Sequence, residues 1–311
     1  MTDQPLTVLT ARPDRGSDLF FSLVSGGFRP GKSWDKGIFR AKFLWRSCFH
    51  PVLTLKWLDR IASDPLIAGL LKVQDRLPGK IHRPYLAVQF SAAERFRAIN
   101  AHYTWVEQLQ NADLRQALST RDSTLMCSFS GKEGDAYSIT LGGGVKFDKE
   151  GEATLSLLRE GTALARITFS VVDYAQQKTL FIGGLQGADS HIPHELIRQA
   201  TKSCYGLFPK RLLLEALQLI FTANGITRIL AVSDKGHIHQ SARYQRKKRG
   251  VFLASYSEFW QSIGAEPETP LLFALPLRLE RKPESEIASK KRAEYRRRYD
   301  LLDRLQAGLL C

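Results

Sequence analysis

Two histidines separated by one residue, His237 and His239, stand in the stretch AVSDKGHIHQSARY, between an apolar run and a basic one. If the apolar run continues through them as a strand, both imidazoles point to one face about 7 Å apart, where they could share a metal ion with a third ligand. Asp234 would then face the opposite side. Gly236 instead favours a turn, which would gather these side chains in a polar cluster at the strand's end. Structural hydrogen bonding by both histidines is the third interpretation.

A metal site is the alternative that the residue types favour least, because the stretch has neither an HxxxH helix nor a cysteine partner. Other possible ligands on a separate segment, which the sequence cannot place, are His191, His194 and Glu195. Loops after the carboxyl ends of strands are where α/β proteins place catalytic residues. We therefore expect no metal, and the candidate catalytic residues are His237, His239, Asp234 and Gln186.

A glycine-containing run, FIGGLQG, ends at Gly187 and also supplies Gly183 and Gly184. A helix is expected soon after it, and free backbone N–H groups at a helix start attract anions. These three glycines are therefore candidate binding residues for the phosphates of acyl-CoA or an acyl-carrier protein. The alternative is a strand bulge followed by a tight turn.

Two further candidates have simpler explanations. His102 and Tyr103 share a predicted helix with apolar neighbours, and no carboxylate stands at the local spacing that would orient His102 as a base. Cys204 lies near a helix end, without a helix start to lower its pKa, so we expect a small core residue there.

The elements that must position these residues change in type near residue 120. Helical periodicity comes first, with Ser91 and Glu94 at the spacing of a capping box. Five short runs rich in β-branched residues follow and predict an antiparallel meander. A pair of helices, with Pro209 and Gly225 at its second member's ends, leads to the strand ITRILAVS. The helical windows are 36–50, 51–74, 91–110, 194–206 and 209–225; the strands are 124–131, 137–143, 152–160, 162–174, 178–187 and 226–233.

This order predicts an α+β fold, with a helical N-terminal region packed on a mostly antiparallel mixed sheet. A meander followed by helices and a parallel-capable strand is the element order of GNAT-type acyltransferases, so we expect a GNAT-like sheet by analogy. The expected divisions are a flexible N-terminal segment (1–35), a helical region (36–120), an α+β GNAT-like domain (121–280) and a C-terminal basic amphipathic helix (281–311).

The charge balance predicts an anionic partner. The 311-residue chain has 45 lysines and arginines against 31 acidic residues, a formal net charge of +14. Acyl-carrier protein, lipid headgroups and nucleic acid all fit this charge, although no zinc-finger, RRM or helix-turn-helix signature is visible. Two basic runs, 243–250 and 290–304, hold much of the excess. The second run reads as a helix whose apolar stripe is Tyr295, Tyr299, Leu302 and Leu305.

Cysteine usage and hydropathy bear on localisation. No basic segment followed by an apolar run begins the chain, and no window reaches 18 uninterrupted apolar residues, so we expect neither a secretory signal nor an integral membrane segment. The four scattered cysteines form no metal or disulfide pattern. A cytoplasmic protein is expected, with peripheral attachment to the inner membrane left open, and the sequence leaves the oligomeric state open as well.

Seven segments in chain order resemble the VirK/YbjX family of Gram-negative bacterial proteins, over roughly residues 45 to 305. The resemblance implies a role in virulence or in resistance to cationic antimicrobial peptides, and it assigns no catalytic residue. The segments are 83–105, 181–187, 197–217, 231–244, 256–260, 274–276 and 289–303.

Two functional hypotheses follow. The first is an acyltransferase-like enzyme that acts on an envelope lipid or peptide and needs a ligand-sized pocket beside Gln186 and His237. The second is a non-catalytic protein that binds anionic lipid or RNA and needs only a continuous basic face.

Overall fold

Helices precede strands along this chain, and the computed structural model describes residues 12–71, 74–120, 122–143, 146–241, 244 and 255–310. By its internal contacts the chain forms two units. The N-terminal unit comprises Met1–Arg83 and Ser91–Phe96, and the sheet unit comprises Pro84–Phe90 and Arg97–Cys311. Apart from Tyr244, the basic run 243–250 lies outside the described residues, as does Cys311. The four divisions expected from the sequence stay predictions.

The N-terminal unit is helical, as predicted. The window 51–74 is two helices and not one, because Pro65 cannot continue the preceding helix and Asp64 starts the next by accepting the N–H groups of Leu66 and Ile67. A further helix lies within the N-terminal 35 residues, where it buries Leu19 and Leu23. The helices are α1 (Gly16–Ser25), α2 (Gly37–Phe49), α3 (Pro51–Ser63) and α4 (Pro65–Leu70).

The predicted capping box is confirmed at the start of α5 (Ala92–Gln108). The backbone N–H of Ser91 donates to the Glu94 carboxylate at 2.7 Å, and the backbone N–H of Glu94 donates to the Ser91 hydroxyl at 3.3 Å. A short helix that the sequence did not predict, α6 (Ala112–Ser119), follows and is capped by Asn111.

Eight strands form one mostly antiparallel sheet in the order β1–β2–β3–β4–β5–β6–β8–β7, which confirms the α+β class. The five predicted meander strands are present and pair as consecutive hairpins. β6 is parallel to β5, after two connecting helices. The strands are β1 (Thr124–Ser130), β2 (Ala136–Gly143), β3 (Ala153–Arg159), β4 (Thr162–Tyr174), β5 (Gln177–Gly187), β6 (Arg228–Val232), β7 (Glu266–Thr269) and β8 (Leu272–Leu275).

The helices that connect the strands pack against the sheet. α7 (His194–Ser203) and α8 (Pro209–Ala223) link β5 to β6, and α8 packs against β3, β4 and β5. Pro209 opens α8, and Gly225 has a left-handed φ of 80° just beyond its end, as the sequence predicted. α9 (Tyr256–Ser262) follows β6 and packs on β8.

The C-terminal helix, α10 (Arg292–Leu310), packs against α8 and β1. It buries Leu301, Leu302 and Leu305. Burial of Tyr295 and Tyr299 was predicted wrongly, since both rings are only half-buried. Both rings line a surface cavity, and arginine side chains cover them in place of core residues, Arg298 over Tyr295 and Arg281 over Tyr299.

β5 continues past the end of its pairing with β6. Thr179–Ile182 of β5 pairs with Arg228–Ala231 of β6, whereas residues 184–187 pair only with β4 among the described strands. β6 ends at Val232, so the last residues of β5 extend beyond it, and the candidate residues Gln186 and Gly187 lie in this extension.

Among the described helices, none combines the length and the apolar character that crossing a bilayer requires. Of the cysteines, Cys48 is exposed and Cys127 is buried. Burial raises the pKa of the Cys204 thiol to about 11, as expected for a core residue and not for a nucleophile.

Candidate functional site

The loop between β2 and β3 contributes a buried carboxylate to the sheet unit, that of Glu150, which the sequence did not predict as a site residue. Glu150 is 3% exposed, and its backbone N–H donates to Phe147 in a tight turn. The extended segment before α5 fixes both sides of the site, because Leu86 N–H donates to the Lys149 carbonyl and Val88 N–H donates to the Gly236 carbonyl. One short segment thus joins the loop of Glu150 to the loop of the two histidines.

Both predicted histidines face this carboxylate. Oε1 of Glu150 lies 3.4 Å from Nε2 of His237 and 3.8 Å from Nε2 of His239. His237 is completely buried, while the side chain of His239 is 14% exposed. The strand ends before them, as the turn interpretation expected, and a 3-10 turn starts after His237. The two ring centroids lie 4.7 Å apart. We call Glu150, His237 and His239 the buried triad.

Gln186 joins the buried triad, as the sequence proposed. Its Nε2 donates to Oε2 of Glu150 at 3.0 Å and to the Tyr256 hydroxyl at 3.1 Å. Burial, and then the charge of Glu150, raise the pKa of Tyr256, so this phenol stays protonated. The Tyr256 ring lies 5.1 Å from the ring of His237, so it closes one side of the site.

Asp234 forms hydrogen bonds to the start of a neighbouring helix, α9. Its carboxylate accepts the N–H groups of Tyr256 at 2.7 Å and Ser257 at 3.2 Å, the first two of α9. Burial opposes ionisation of Asp234, but hydrogen bonds from the Ser257 hydroxyl and from these N–H groups outweigh it and hold the pKa of the carboxyl below its ordinary value. Asp234 therefore positions Tyr256, and its assignment as a catalytic residue stays a prediction.

The glycines of β5 make room for Glu150. A Cβ on Gly183 would lie 2.0 Å from the Glu150 backbone oxygen, and one on Gly184 would lie 1.9 Å from its Oε2. The β4–β5 register skips Gly183, which is the strand bulge that the sequence offered as an alternative. Only Gly187 leaves free space, since its Cβ would meet Lys210 at an ordinary 3.7 Å. The phosphate-binding role of all three glycines stays a prediction.

The remaining polar candidates lie elsewhere. His102 is fully buried in the sheet unit, where its Nδ1 accepts the N–H of Val171 at 3.2 Å. Its neighbour Tyr103 donates to Glu152. Three residues considered as possible metal ligands are exposed near the start of α7, outside the buried triad: His191, His194 and Glu195.

A cavity of about 720 Å³ lies where β5 ends and α7 and α8 begin. Its lining is largely apolar and includes Leu164, Phe208 and Ile263, together with Gly187 and Lys210. Burial lowers the pKa of Lys210. Cavities of roughly 300–1,000 Å³ are typical of small-molecule sites. Gln186 and Gly187 are consecutive residues of β5, so the buried triad and this cavity lie at the same end of one strand.

Chemically, the buried triad can orient two imidazoles and accept a proton. A carboxylate beside a histidine is the usual arrangement of a general base. The sequence did not predict Glu150 as a site residue, because the surrounding stretch KFDKEGE has the composition of a solvated turn. The available signal was the pair Gly183 and Gly184 inside an otherwise apolar strand, since glycines there mark a close approach by another part of the chain.

Comparison with known proteins gives a consistent picture. The family described as "Protein of unknown function (DUF535)" matches residues 32–310. The chain is 42% identical over 289 residues to "Uncharacterized protein YbjX" of Escherichia coli (strain K12), covering 93% of this chain and 87% of that protein. It is 28% identical over 217 residues to an "Uncharacterized protein" of Haemophilus influenzae, with 70% of each chain covered.

A more distant relative has a different kind of name. "Membrane protein LapB" of Mannheimia haemolytica is 23% identical over 219 residues, covering 70% of this chain and 88% of that protein. No solved structure matches the chain. The family match and the E. coli relative together show that the chain belongs to the DUF535 family, which is the VirK/YbjX family that its motifs resemble.

Proposed function

We propose that this protein is an acyltransferase-like enzyme that moves an acyl group from a thioester donor to an envelope lipid or peptide. The observation that supports this proposal best is the extension of β5 beyond the end of its parallel partner β6, with a ligand-sized cavity and the buried triad at that end of β5. In open α/β sheets, ligands bind outside the carboxyl ends of the strands.

The strand order supports a GNAT-like sheet. A meander of antiparallel strands ends in β5, two helices follow, and β6 then lies parallel to β5. This is the arrangement expected by analogy from the sequence, in which the donor's phosphates lie at the helix start beyond the last meander strand. The analogy concerns the fold, and the reaction depends on the side chains.

The cavity suits an acyl thioester with a phosphate-bearing arm. Its apolar lining would take the acyl chain or the pantetheine arm, and Lys210 and the amino end of α8 would face negative charge. The last residues of β5 have backbone groups without a β6 partner, which would pair with the amides of an extended arm.

The buried triad suits the acceptor. His237, oriented by Glu150, would take the proton from a hydroxyl or amine as that group attacks the thioester carbonyl. The new ester or amide bond forms, the C–S bond breaks, and the leaving thiolate takes up a proton to give the free thiol. The balance needs no other reactant.

Donor binding is tested by thermal shift and intact-mass measurements with acyl-CoAs of increasing chain length and with acyl-carrier protein. We expect a raised Tm with one class of donor and a loss of that shift in Lys210→Met. The matched control is Lys202→Met, because Lys202 is exposed on α7 away from the cavity lining. No Tm shift with any donor, or an equal shift in both variants, contradicts the proposal.

Acyl transfer is tested separately with the double variant His237→Gln/His239→Gln. Glutamine keeps a hydrogen-bonding group in each position, so we expect the fold and donor binding to persist while transfer to lipid or peptide acceptors is lost. A double variant that unfolds shows a structural role for both histidines.

The biological context that we propose is resistance to cationic antimicrobial peptides, as the family resemblance implies. Acylation of a peptide lysine removes its positive charge, and an added acyl chain on a lipid tightens its packing. Cells without the protein should be more sensitive to such peptides, and the wild type should restore resistance where the double histidine variant does not.

We propose a second function, binding to an anionic lipid surface, on the evidence of one face of the N-terminal unit. Ile38, Trp45 and Phe49 recur along α2 and continue to Val52 at the start of α3, and each is more than 60% exposed. Large exposed apolar side chains that cluster in this way mark interaction surfaces. We call these four residues the α2 face.

Basic residues accompany the α2 face. α2 contains Arg40, Lys42 and Arg46 and no acidic residue. A helix with aromatic residues on one side and cations beside them lies in the headgroup region of anionic bilayers. This would hold the protein at the inner membrane surface without a spanning helix.

Vesicle binding tests this second function. Of the five tryptophans, Trp45 is exposed and the other four are buried, so a blue shift of fluorescence reports the α2 face. We expect co-sedimentation with phosphatidylglycerol vesicles, weaker binding at high salt, and loss in Trp45→Ala/Phe49→Ala. Leu125→Ala is the control, because Leu125 is 58% exposed on β1. Equal binding to neutral vesicles, or no effect of the double variant, contradicts it.

A further inference from the structure

We propose that the buried triad binds a divalent transition-metal ion, with Zn²⁺ as the preferred ion. This inference does not rest on the proposed acyl transfer, and an ion bound at a ring nitrogen of His237 would take the place of the proton that this residue accepts in that proposal. The ligand atoms would be one carboxylate oxygen of Glu150 and one ring nitrogen each of His237 and His239, which all lie within 4.8 Å of one another.

The distances favour coordination over hydrogen bonding. N–H···O bonds in proteins span about 2.7–3.2 Å, and the two separations from Oε1 of Glu150, 3.4 and 3.8 Å, are longer. Ligands at about 2.0–2.1 Å from a tetrahedral Zn²⁺ are about 3.4 Å apart. The preference for Zn²⁺ comes from the ligand types, because imidazole nitrogens suit zinc better than the ions that prefer octahedral oxygen ligands.

The charge balance points the same way. The Glu150 side chain is 4% exposed, and among the described residues it pairs with no lysine or arginine. An ionised carboxylate is costly to bury without a counter-charge, which a bound cation would supply here. Two neutral imidazoles with one carboxylate are a ligand set of catalytic zinc sites that leaves a position for water or substrate.

A buried nitrogen lies within the triad without a partner. Nε2 of His237 has no hydrogen-bond partner among the described residues, although the side chain is fully buried. The other ring nitrogen of His237 lies 3.4 Å from the His239 backbone nitrogen, beyond the usual length of a hydrogen bond, so it is free to carry the ring hydrogen while Nε2 binds an ion. The competing arrangement, a simple imidazole–carboxylate pair, would bring Nε2 to hydrogen-bond distance of Glu150.

The surrounding residues support the carboxylate in the orientation that a metal needs. Gln186 holds Oε2 of Glu150, which leaves Oε1 facing both imidazoles. Such outer hydrogen bonds orient metal ligands and are typically worth about 10–100-fold in metal affinity. The expectation from sequence that no metal binds rested on the lack of an HxxxH helix and of a cysteine partner, and Glu150 is a third ligand that the sequence did not place beside the two histidines.

The test uses the full chain without a histidine tag. Protein stripped with EDTA is titrated with ZnCl₂ by calorimetry, Tm is followed in parallel, and elemental analysis is made on material as purified. We expect one equivalent of zinc and a raised Tm on binding, since a ligand that binds the folded state stabilises it. X-ray absorption should show two imidazole nitrogens and at least one oxygen.

Variants separate metal binding from folding. Glu150→Gln and His239→Gln should lose at least 100-fold in zinc affinity, and Gln186→Ala, which removes no ligand, should lose about 10–100-fold. His191→Gln, an exposed histidine outside the triad, should bind as the wild type does. Sub-stoichiometric uptake by the wild type, or unchanged affinity in Gln186→Ala and Glu150→Gln, overturns the proposal. No acyl donor is present, so this result is independent of the transfer assay.

Discussion

Gly184 and Glu150 approach so closely that a Cβ on the glycine would lie 1.9 Å from Oε2 of the carboxylate. A Cβ on the neighbouring Gly183 would lie 2.0 Å from the backbone oxygen of Glu150. A side-chain end can swing away, whereas a backbone carbonyl held between two strands cannot. Gly184 therefore preserves the orientation of the Glu150 carboxylate, whereas Gly183 preserves the packing of the backbone and so the fold.

Alanine at these positions should separate the two roles. Gly184→Ala should keep most of the stability but lower zinc affinity or transfer activity by at least tenfold, because it displaces the carboxylate. Gly183→Ala should cost about 1–3 kcal/mol or more in the free energy of unfolding. Gly187→Ala, with 3.7 Å of clearance, is the control for stability. Denaturant unfolding and metal titration measure both effects, and equal stability losses in all three would contradict this division.

Asp234 should stabilise α9 in a pH-dependent way. Its folded-state pKa lies below the ordinary value, so its contribution is present above the unfolded pKa of about 3.9 and is lost as the pH falls toward the folded value. Asp234→Ala should cost about 0.5–2 kcal/mol at pH 7, as the loss of a helix-start acceptor does. The Tm difference from wild type should shrink below pH 4. A difference that is constant down to pH 3 would show that the charge is unimportant.

His82 should make the N-terminal unit sensitive to acid. Burial, followed by the charges of His50 and nearby arginines, lowers its pKa to about 4 from 6.5. The folded state thus disfavours the proton, so stability is full above pH 6.5 and declines as the pH falls toward 4, by about 1–3 kcal/mol. The ring contacts the hydroxyl of Thr54 at 2.9 Å.

Substitution isolates the contribution of His82 to this acid sensitivity. His82→Gln keeps a hydrogen-bonding group for Thr54 but cannot titrate, so its unfolding free energy should change less than that of the wild type between pH 6.5 and 4. Urea unfolding at pH 7, 5 and 4 gives the comparison. Parallel pH dependence in both proteins would assign the acid sensitivity to other groups.

The C-terminal helix should be part of the fold. Leu302 is 4% exposed between α10 and its neighbours, whereas Leu310 is 46% exposed. Leu302→Ala should cost about 2–5 kcal/mol, and Leu310→Ala should cost little. Deleting residues 289–311 should lower Tm markedly. An unchanged melting curve after the deletion would make this helix a detachable tail.

Local signals explain the part of the fold that the sequence predicted. Strands β2 and β3 of the meander largely alternate in burial, β4 and β5 contain continuous buried runs, and the capping box at Ser91 depends on two nearby residues only. β7 was missed because Glu266–Thr269 is wholly exposed and contains a proline, so it shows no apolar alternation. Its place at the sheet edge follows from pairing with β8, which no local pattern reveals.

The candidate site was predicted in part for the same reason. His237 and His239 follow the apolar strand β6, and Gln186 is the penultimate residue of β5, so the rule that chemistry lies at strand ends selects them. Glu150 enters from a polar loop, and its burial depends on the distant strand that accommodates it. Asp234 was placed near the site correctly, but its hydrogen bonds to α9 depend on where that helix starts.

The site's residues come from distant parts of the chain, which bears on how the chain acquires its site. Gln186 is 36 residues from Glu150 and 70 residues from Tyr256 in sequence, and the three lie together only in a chain that already includes the start of α9. Contacts between such distant residues form slowly, because closing long loops costs entropy before any contact compensates. A nascent chain on the ribosome therefore has no functional centre until α9 has emerged, and a ligand specific for that centre would distinguish completed molecules from partly folded ones.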